Sequence, residues 1–133
     1  MTEYPIKTLF MGMFAAVVLY SCHPAHAESF EESFTESVEC MAQNMYFEAR
    51  NQPFRGMLAV GQVTMNRVAD DRYPNTVCAV VKQGPTSRWW KEKHNKVVPI
   101  RHKCQFSWYC DGLSDEPVDS VTWVKSLRIA DLV

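Results

Sequence analysis

The chain has 133 residues; Lys and Arg total 14 against 15 Asp and Glu, and hydrophobic residues make up 47%. One domain fits this length, while disorder, collagen and coiled coil do not fit the composition. A net charge of −1 speaks against a general nucleic-acid binder, so electrostatic recognition has to come from a local patch.

Residues 1–27 read as a secretory signal. Lys7 supplies the cation, Thr8 to Tyr20 the apolar run, and Ala25-His26-Ala27 an A-x-A cleavage site. The run is shorter than the ~20 residues of a spanning helix. A membrane anchor through residues 8–20, or lipid on Cys22, are the alternatives to export into the periplasm or medium. Cleavage after Ala27 removes Cys22 and leaves Cys40, Cys78, Cys104 and Cys110. That even set predicts two disulfides in an oxidising compartment. Three pairings are open, of which Cys104–Cys110 closes a short loop. A zinc site from His102, Cys104 and Cys110 matches no common spacing, and no metal or cofactor is expected.

Residues 28–37 are acidic and rich in Ser and predict a linker or a frayed first turn, with Ser33 and Glu36 as a capping box and Ser37 as a helix cap. From Val38 to Arg50, the apolar residues Val38, Met41, Ala42, Met45, Tyr46 and Ala49 follow the i, i+3, i+4, i+7 spacing of an amphipathic helix. At 100° per residue Glu48 falls beside Met41 and Met45, and Arg50 points elsewhere. Pro53 ends the helix by disfavouring helical geometry in Gln52. Gly56 to Val68 is apolar on nearly every side, which predicts a buried helix in which Gly61 permits close packing. Residues 70–75 form a turn, and Asn75 caps a short helix from Thr76 to Lys82. Residues 84–103 predict a long basic loop, with Arg88, Lys91, Lys93, Lys96, Arg101 and Lys103 against Glu92 alone. An aromatic turn bracketed by cysteines follows at 104–112, then one helix from Pro117 to Val133.

Four groups of residues suit chemistry. Glu48 sits at the margin of an apolar stripe, where lost hydration disfavours the charged carboxylate and raises its pKa. A general acid working at neutral pH needs that. Gln105, Ser107, Trp108 and Tyr109 suit sugar recognition, the amide and hydroxyls for polar groups and the flat rings for pyranose faces. Asp111, Asp115 and Glu116 are candidates for a second carboxylate. The basic stretch with Trp89 and Trp90 suits an anionic polymer, because a local positive field raises association rates.

The ordered set Tyr46-Phe47-Glu48-Ala49-Arg50-Asn51-Gln52-Pro53, Gly56, Val60-Gly61-Gln62-Val63, Asn66-Arg67-Val68, Tyr73-Pro74-Asn75-Thr76-Val77-Cys78 and Cys104-Gln105-Phe106-Ser107 resembles the SleB-type cell wall hydrolases. The likeness runs over residues 38–131. It implies a mainly α, lysozyme-like or lytic-transglycosylase-like fold and a catalytic domain at 38–133. That domain is C-terminally short, since family members continue with a further Gly-, His- and Tyr-containing segment. It also implies cleavage of peptidoglycan between N-acetylmuramic acid and N-acetylglucosamine. Glu48 would be the catalytic acid, and Tyr46, Gln105, Phe106, Ser107, Trp108 and Tyr109 the substrate contacts. The implied partner is the glycan strand, met by a monomer with no nucleic acid and no stable membrane span after signal cleavage. A single glutamate suits a lytic transglycosylase, whereas ordinary glycosidases use two carboxyls. The alternatives are a non-catalytic peptidoglycan-binding protein and an N-acetylmuramoyl-L-alanine amidase.

Overall fold

A computed structural model describes residues 25–133. Most of the predicted signal, with Lys7, the apolar run and Cys22, lies outside the described residues; Ala25 to Ala27 open the first helix. The element order is α1 (Ala25–Ala49), α2 (Phe54–Val68), α3 (Val77–Val81), α4 (Arg88–His94), a 3₁₀ turn (Ser107–Cys110) and α5 (Ser120–Ala130). Among the described residues there is no β-strand, only an isolated bridge between Thr86 and Pro99. The mainly helical expectation holds. Among the described residues no helix is long and apolar enough to cross a membrane.

The core is built on α1. Met41, Ala42, Met45 and Ala49 bury their side chains against Met57 of α2 and Ile129 and Ala130 of α5. These are the stripe residues predicted from helical spacing. A second cluster joins Val80 and Val81 of α3 to Phe106 and Trp108 of the turn, with Phe47 packed on its edge. Gly61 lets α2 approach α1: a Cβ there would collide with the Met45 methyl and press on Val133.

Four expectations change. Residues 28–37 are not a linker but part of α1, so Ser33 and Ser37 do not cap: the Ser37 hydroxyl donates to the Ser33 carbonyl inside a continuous helix. Local polarity does not end a helix when every backbone group already has an i−4 partner. The α2 helix is not buried all round. Only Met57, Gly61 and Thr64 are fully covered, because α1 and α5 reach one face. Thr76, not Asn75, caps α3, accepting from the Ala79 amide at 3.3 Å. Finally, the basic stretch contains α4, capped by Ser87 and stopped at Asn95, whose φ of 51° is left-handed.

Two disulfides tie the elements together. Cys40–Cys78 joins α1 to α3 across a sequence separation of 38, and Cys104–Cys110 closes a loop of separation 6 around the turn. A cross-link removes more unfolded-chain entropy when its loop is longer. Replacing Cys40 and Cys78 together by Ala should therefore cost about 4 kcal/mol, and the Cys104/Cys110 pair about 2 kcal/mol. Urea denaturation of the two double variants checks that order.

Candidate active site

The C-terminal turn of α1 delivers Glu48 to a cleft of about 450 Å³. Glu48 and Arg50 line one side; Ser107 and Trp108 of the 3₁₀ turn and Asp111, Ser114 and Glu116 of the following segment line the other. The motif at 46–50 and the motif at 105–108 thus converge, although more than fifty residues separate them in sequence. A larger groove of about 650 Å³ lies between Phe54 and α5, but its walls are mostly aliphatic and contain no carboxylate.

One polar network holds the cleft. Asn44 lies four residues before Glu48, fully buried. Its amide nitrogen donates to Thr64 Oγ1 of α2 at 3.1 Å, and its amide oxygen accepts from Trp108 Nε1 at 3.0 Å. The Thr64 hydroxyl in turn donates a hydrogen bond to the Val60 carbonyl at 3.0 Å. Trp108 then stacks on Phe47, with ring centroids 4.8 Å apart and planes 20° from parallel. Because Phe47 precedes Glu48, the same contact that seats the turn also sets the end of α1.

The opposite wall is fastened at several points. Gln43 Nε2 donates to the Asp115 carbonyl at 3.2 Å, and Arg101 Nε to the Asp111 carbonyl at 2.8 Å. The Asp111 carboxylate accepts from the Leu113 amide at 2.7 Å, making a turn in which Gly112 has φ of 85°. A Cβ at Gly112 would also press on the Arg101 guanidinium, so glycine is needed twice over. The Tyr46 hydroxyl accepts from the Asp119 amide at 3.1 Å. Asp119 caps α5, and its carboxyl is held below the usual range by the Thr122 hydroxyl, then by the Thr122 and Val121 amides, with Arg50 adding a weaker pull.

The predicted site residues divide. Glu48, Ser107 and Trp108 meet in the cleft. Glu48 itself is exposed, not shielded at the margin of the stripe: the packing that buries Tyr46 and Ala49 in the same turn leaves its side chain uncovered. Tyr46 borders the cleft but is 0% exposed; it braces the floor beneath and offers no face to a ligand. Trp108 is 6% exposed and presents only an edge, its face being taken by Phe47. Phe106 is core, and Tyr109 packs on the same cluster. Gln105 is exposed but faces a separate depression with Gln83 and Lys103. Gln105 and Phe106 precede the 3₁₀ turn and face elsewhere, so only Ser107 and Trp108 of the motif line the cleft. Arg50 was expected to point away, yet it reaches the cleft with its guanidinium 5.9 Å from the Tyr46 ring. The 100° spacing stops applying where the helix stops. Asn44 was missed. Its signal was a lone amide at i+3 from Met41 beside an otherwise apolar stripe.

Asp111 and Glu116 join Glu48 around the cleft. Asp115, beside them, has its carboxyl pushed up, first by burial and then by the charges of Asp111 and Glu116, with Lys82 opposing. As for metals, Cys104 and Cys110 spend both thiols on their disulfide, so the zinc spacing considered above has no free sulfur. Among the described residues no other group of three His, Cys, Asp or Glu is placed to hold an ion.

A family model described as Cell Wall Hydrolase matches residues 51–132, beginning just after Glu48. A spore cortex-lytic enzyme of Bacillus cereus is 41% identical over 44 residues, which is 33% of this chain and 17% of that protein. The spore cortex-lytic enzyme of Bacillus subtilis is 36% identical over 44 residues, 14% of its length. The matched stretch is thus less than a fifth of either relative. No solved structure matches.

Replacing Asn44 by Ala should destabilise the fold by about 2 kcal/mol, since Trp108 Nε1 loses its buried acceptor; the loss is read by chemical denaturation, with Trp emission reporting the altered indole. Asp115→Asn should behave oppositely. A carboxyl whose folded pKa is raised costs stability once the unfolded group ionises, so the variant should melt higher than the parent at neutral pH. The gap should close as pH falls below the unshifted value of 3.8. Melting curves across pH check the sign.

Proposed function

The chain belongs to the cell wall hydrolase family, and from that premise we propose that it cleaves peptidoglycan glycan strands between N-acetylmuramic acid and N-acetylglucosamine, with Glu48 as the acid. The observation that carries this is the convergence of Glu48 with Ser107 and Trp108 in one cleft. The names of the relatives, enzymes that lyse spore cortex, support the substrate class. Glu48 protonates the bridging oxygen as the C1–O bond breaks, so the departing sugar leaves as an alcohol. The carboxylate then takes the proton of the muramyl C6 hydroxyl, whose oxygen closes onto C1 as a 1,6-anhydro ring. The glutamate ends protonated, as it began.

On this proposal the strand fills the cleft and excludes water from the reacting bond. Arg50 and Ser107 are placed for polar groups of the sugar, and Leu113 and Val118 give the rim apolar surface. Gln105, Phe106 and Tyr109 hold the turn rather than touch the strand, and Tyr46 and Trp108 support the cleft from below. A lysozyme-like arrangement for the domain at 38–133 and export through residues 1–27 belong to the same proposal; the two disulfides fit an oxidising compartment.

Hydrolysis is a second reading, favoured by the carboxylates on the facing wall. Asp111 is committed to its turn, but no hydrogen bond to the Glu116 carboxyl is formed among the described residues. A two-carboxyl glycosidase would use Glu116 to activate water.

Digestion of purified sacculi, followed by mass spectrometry of the released fragments, decides. Anhydro-muramyl ends are expected from the wild-type chain, with release falling about 10²–10⁴-fold in Glu48→Gln, the usual weight of general acid catalysis. Glu116→Gln should leave release largely intact. Reducing ends together with loss in Glu116→Gln would establish hydrolysis instead. Unchanged release in Glu48→Gln would remove Glu48 from the chemistry, and sacculus binding without release would mark a non-catalytic binding protein.

A further inference from the structure

Residues 86–101 form an arm that the cleft does not use. Its base is closed by main chain: the Ser87 amide donates to the Val98 carbonyl at 2.8 Å, and the Ile100 amide to the Pro85 carbonyl at 2.8 Å. The α4 helix at its tip buries none of its residues. Trp89 is 54% exposed and Trp90 37%. Leaving two indoles in water is costly unless something covers them. They are not loose. Their centroids lie 4.9 Å apart at 86°, and the His94 ring sits 5.2 Å from Trp89 and 4.7 Å from Trp90. The cluster is preformed, with Lys93 Nζ 6.0 Å from the Trp89 ring.

We propose that this arm is a second, non-catalytic binding surface for a carboxylate-bearing glycan strand, in which Trp89 and Trp90 stack on sugar rings and Arg88, Lys91, Lys93 and Lys96 take the carboxylates. The proposal rests on the peptidoglycan reading above, since stem peptides are what would give such a strand its negative charge. Two observations choose this occupant. Arg88, Lys91 and Lys93 share α4 with the rings, with only Glu92 against them, so the field favours an anion. The arm is also tied to the cleft wall. Arg101 at its base donates to the Asp111 carbonyl, and the next amide, of His102, donates to the Cys110 carbonyl at 2.9 Å. A strand held by the arm is therefore held in a set relation to the cleft. The gain is avidity: a polymer bound at two points dissociates more slowly than at one.

The test is sedimentation with purified sacculi, using the full chain with disulfides formed and Glu48→Gln in every protein, so that nothing is digested. Sacculi are used both as isolated and after acid stripping of phosphate-bearing wall polymers. Trp89→Ala/Trp90→Ala should weaken binding to stripped sacculi about tenfold or more, the usual effect of losing exposed anchor tryptophans. Circular dichroism should not change, because α4 buries nothing. Lys91→Gln/Lys93→Gln/Lys96→Gln should weaken binding at low salt and flatten its salt dependence. Equal binding by parent and tryptophan variant overturns the proposal. So does a loss confined to unstripped sacculi, which would assign the arm to phosphate polymers, or confined to phosphatidylglycerol vesicles, which would assign it to a membrane. Fragment release by the Glu48 protein is a separate readout, so failure of the cleft chemistry and failure of the arm are told apart.

Discussion

The buried amide of Asn44 is the constraint on which the site depends. It stands on α1, bonds a hydroxyl on α2 and accepts from the indole of the 3₁₀ turn. Three chain segments meet at one side chain whose hydrogen-bonding groups are satisfied from both ends. A buried amide with both ends bonded specifies one arrangement, because any shift leaves a polar atom unpaired in a medium without water. An apolar residue of the same size would pack there but would tolerate sliding. The wall that faces Glu48 is positioned by that demand for pairing, and the stacked Phe47–Trp108 pair turns the position into an orientation.

Around this point the molecule is asymmetric. Inward, the helices are joined by aliphatic packing in which methionines dominate, a soft filling that adapts to the close approach at Gly61. Outward, the segment from Asp111 to Asp119 is held almost entirely by hydrogen bonds to its main chain and by its own turns. Such a wall is anchored without being buried. It keeps acids close together, at the cost of raising the part-buried Asp115 carboxyl, and it leaves the cleft open to a long polymer. Enclosure, which a small-molecule enzyme obtains from its own fold, is on the proposed function obtained from the substrate.

The same economy explains the disulfides. A domain of this size has a modest core, and α3 is only five residues long and buries Val80 and Val81 in it. Cys40–Cys78 fastens that short helix to α1, and with it the second apolar cluster that supports the turn. Cys104–Cys110 brackets the turn itself, so the two motifs of the cleft are each adjacent to a covalent tie.

The core stripe of α1, the Pro53 break, the closeness permitted by Gly61, the turn at 104–112 and the helix after Pro117 were all legible in the sequence. Each depends on local geometry: helical spacing, a missing amide or a missing Cβ acts within a few residues of itself. The family was legible for a similar reason, since ordered motifs are a property of the chain. Burial was not legible, because it depends on which distant segment arrives. Helical spacing put Glu48 near apolar neighbours, but the elements that bury Tyr46 and Ala49 leave its side chain in water. The same spacing aimed Arg50 away, yet the helix ended one residue sooner and let it turn into the cleft. Tyr46 and Phe106, named as substrate contacts by the family resemblance, are buried as floor and core, since an aromatic ring serves equally for either until its neighbours are known. Asn44 gained its meaning only when Thr64 and Trp108 were brought to it, because a hydrogen bond across sequence separations of 20 and 64 is written in neither partner alone.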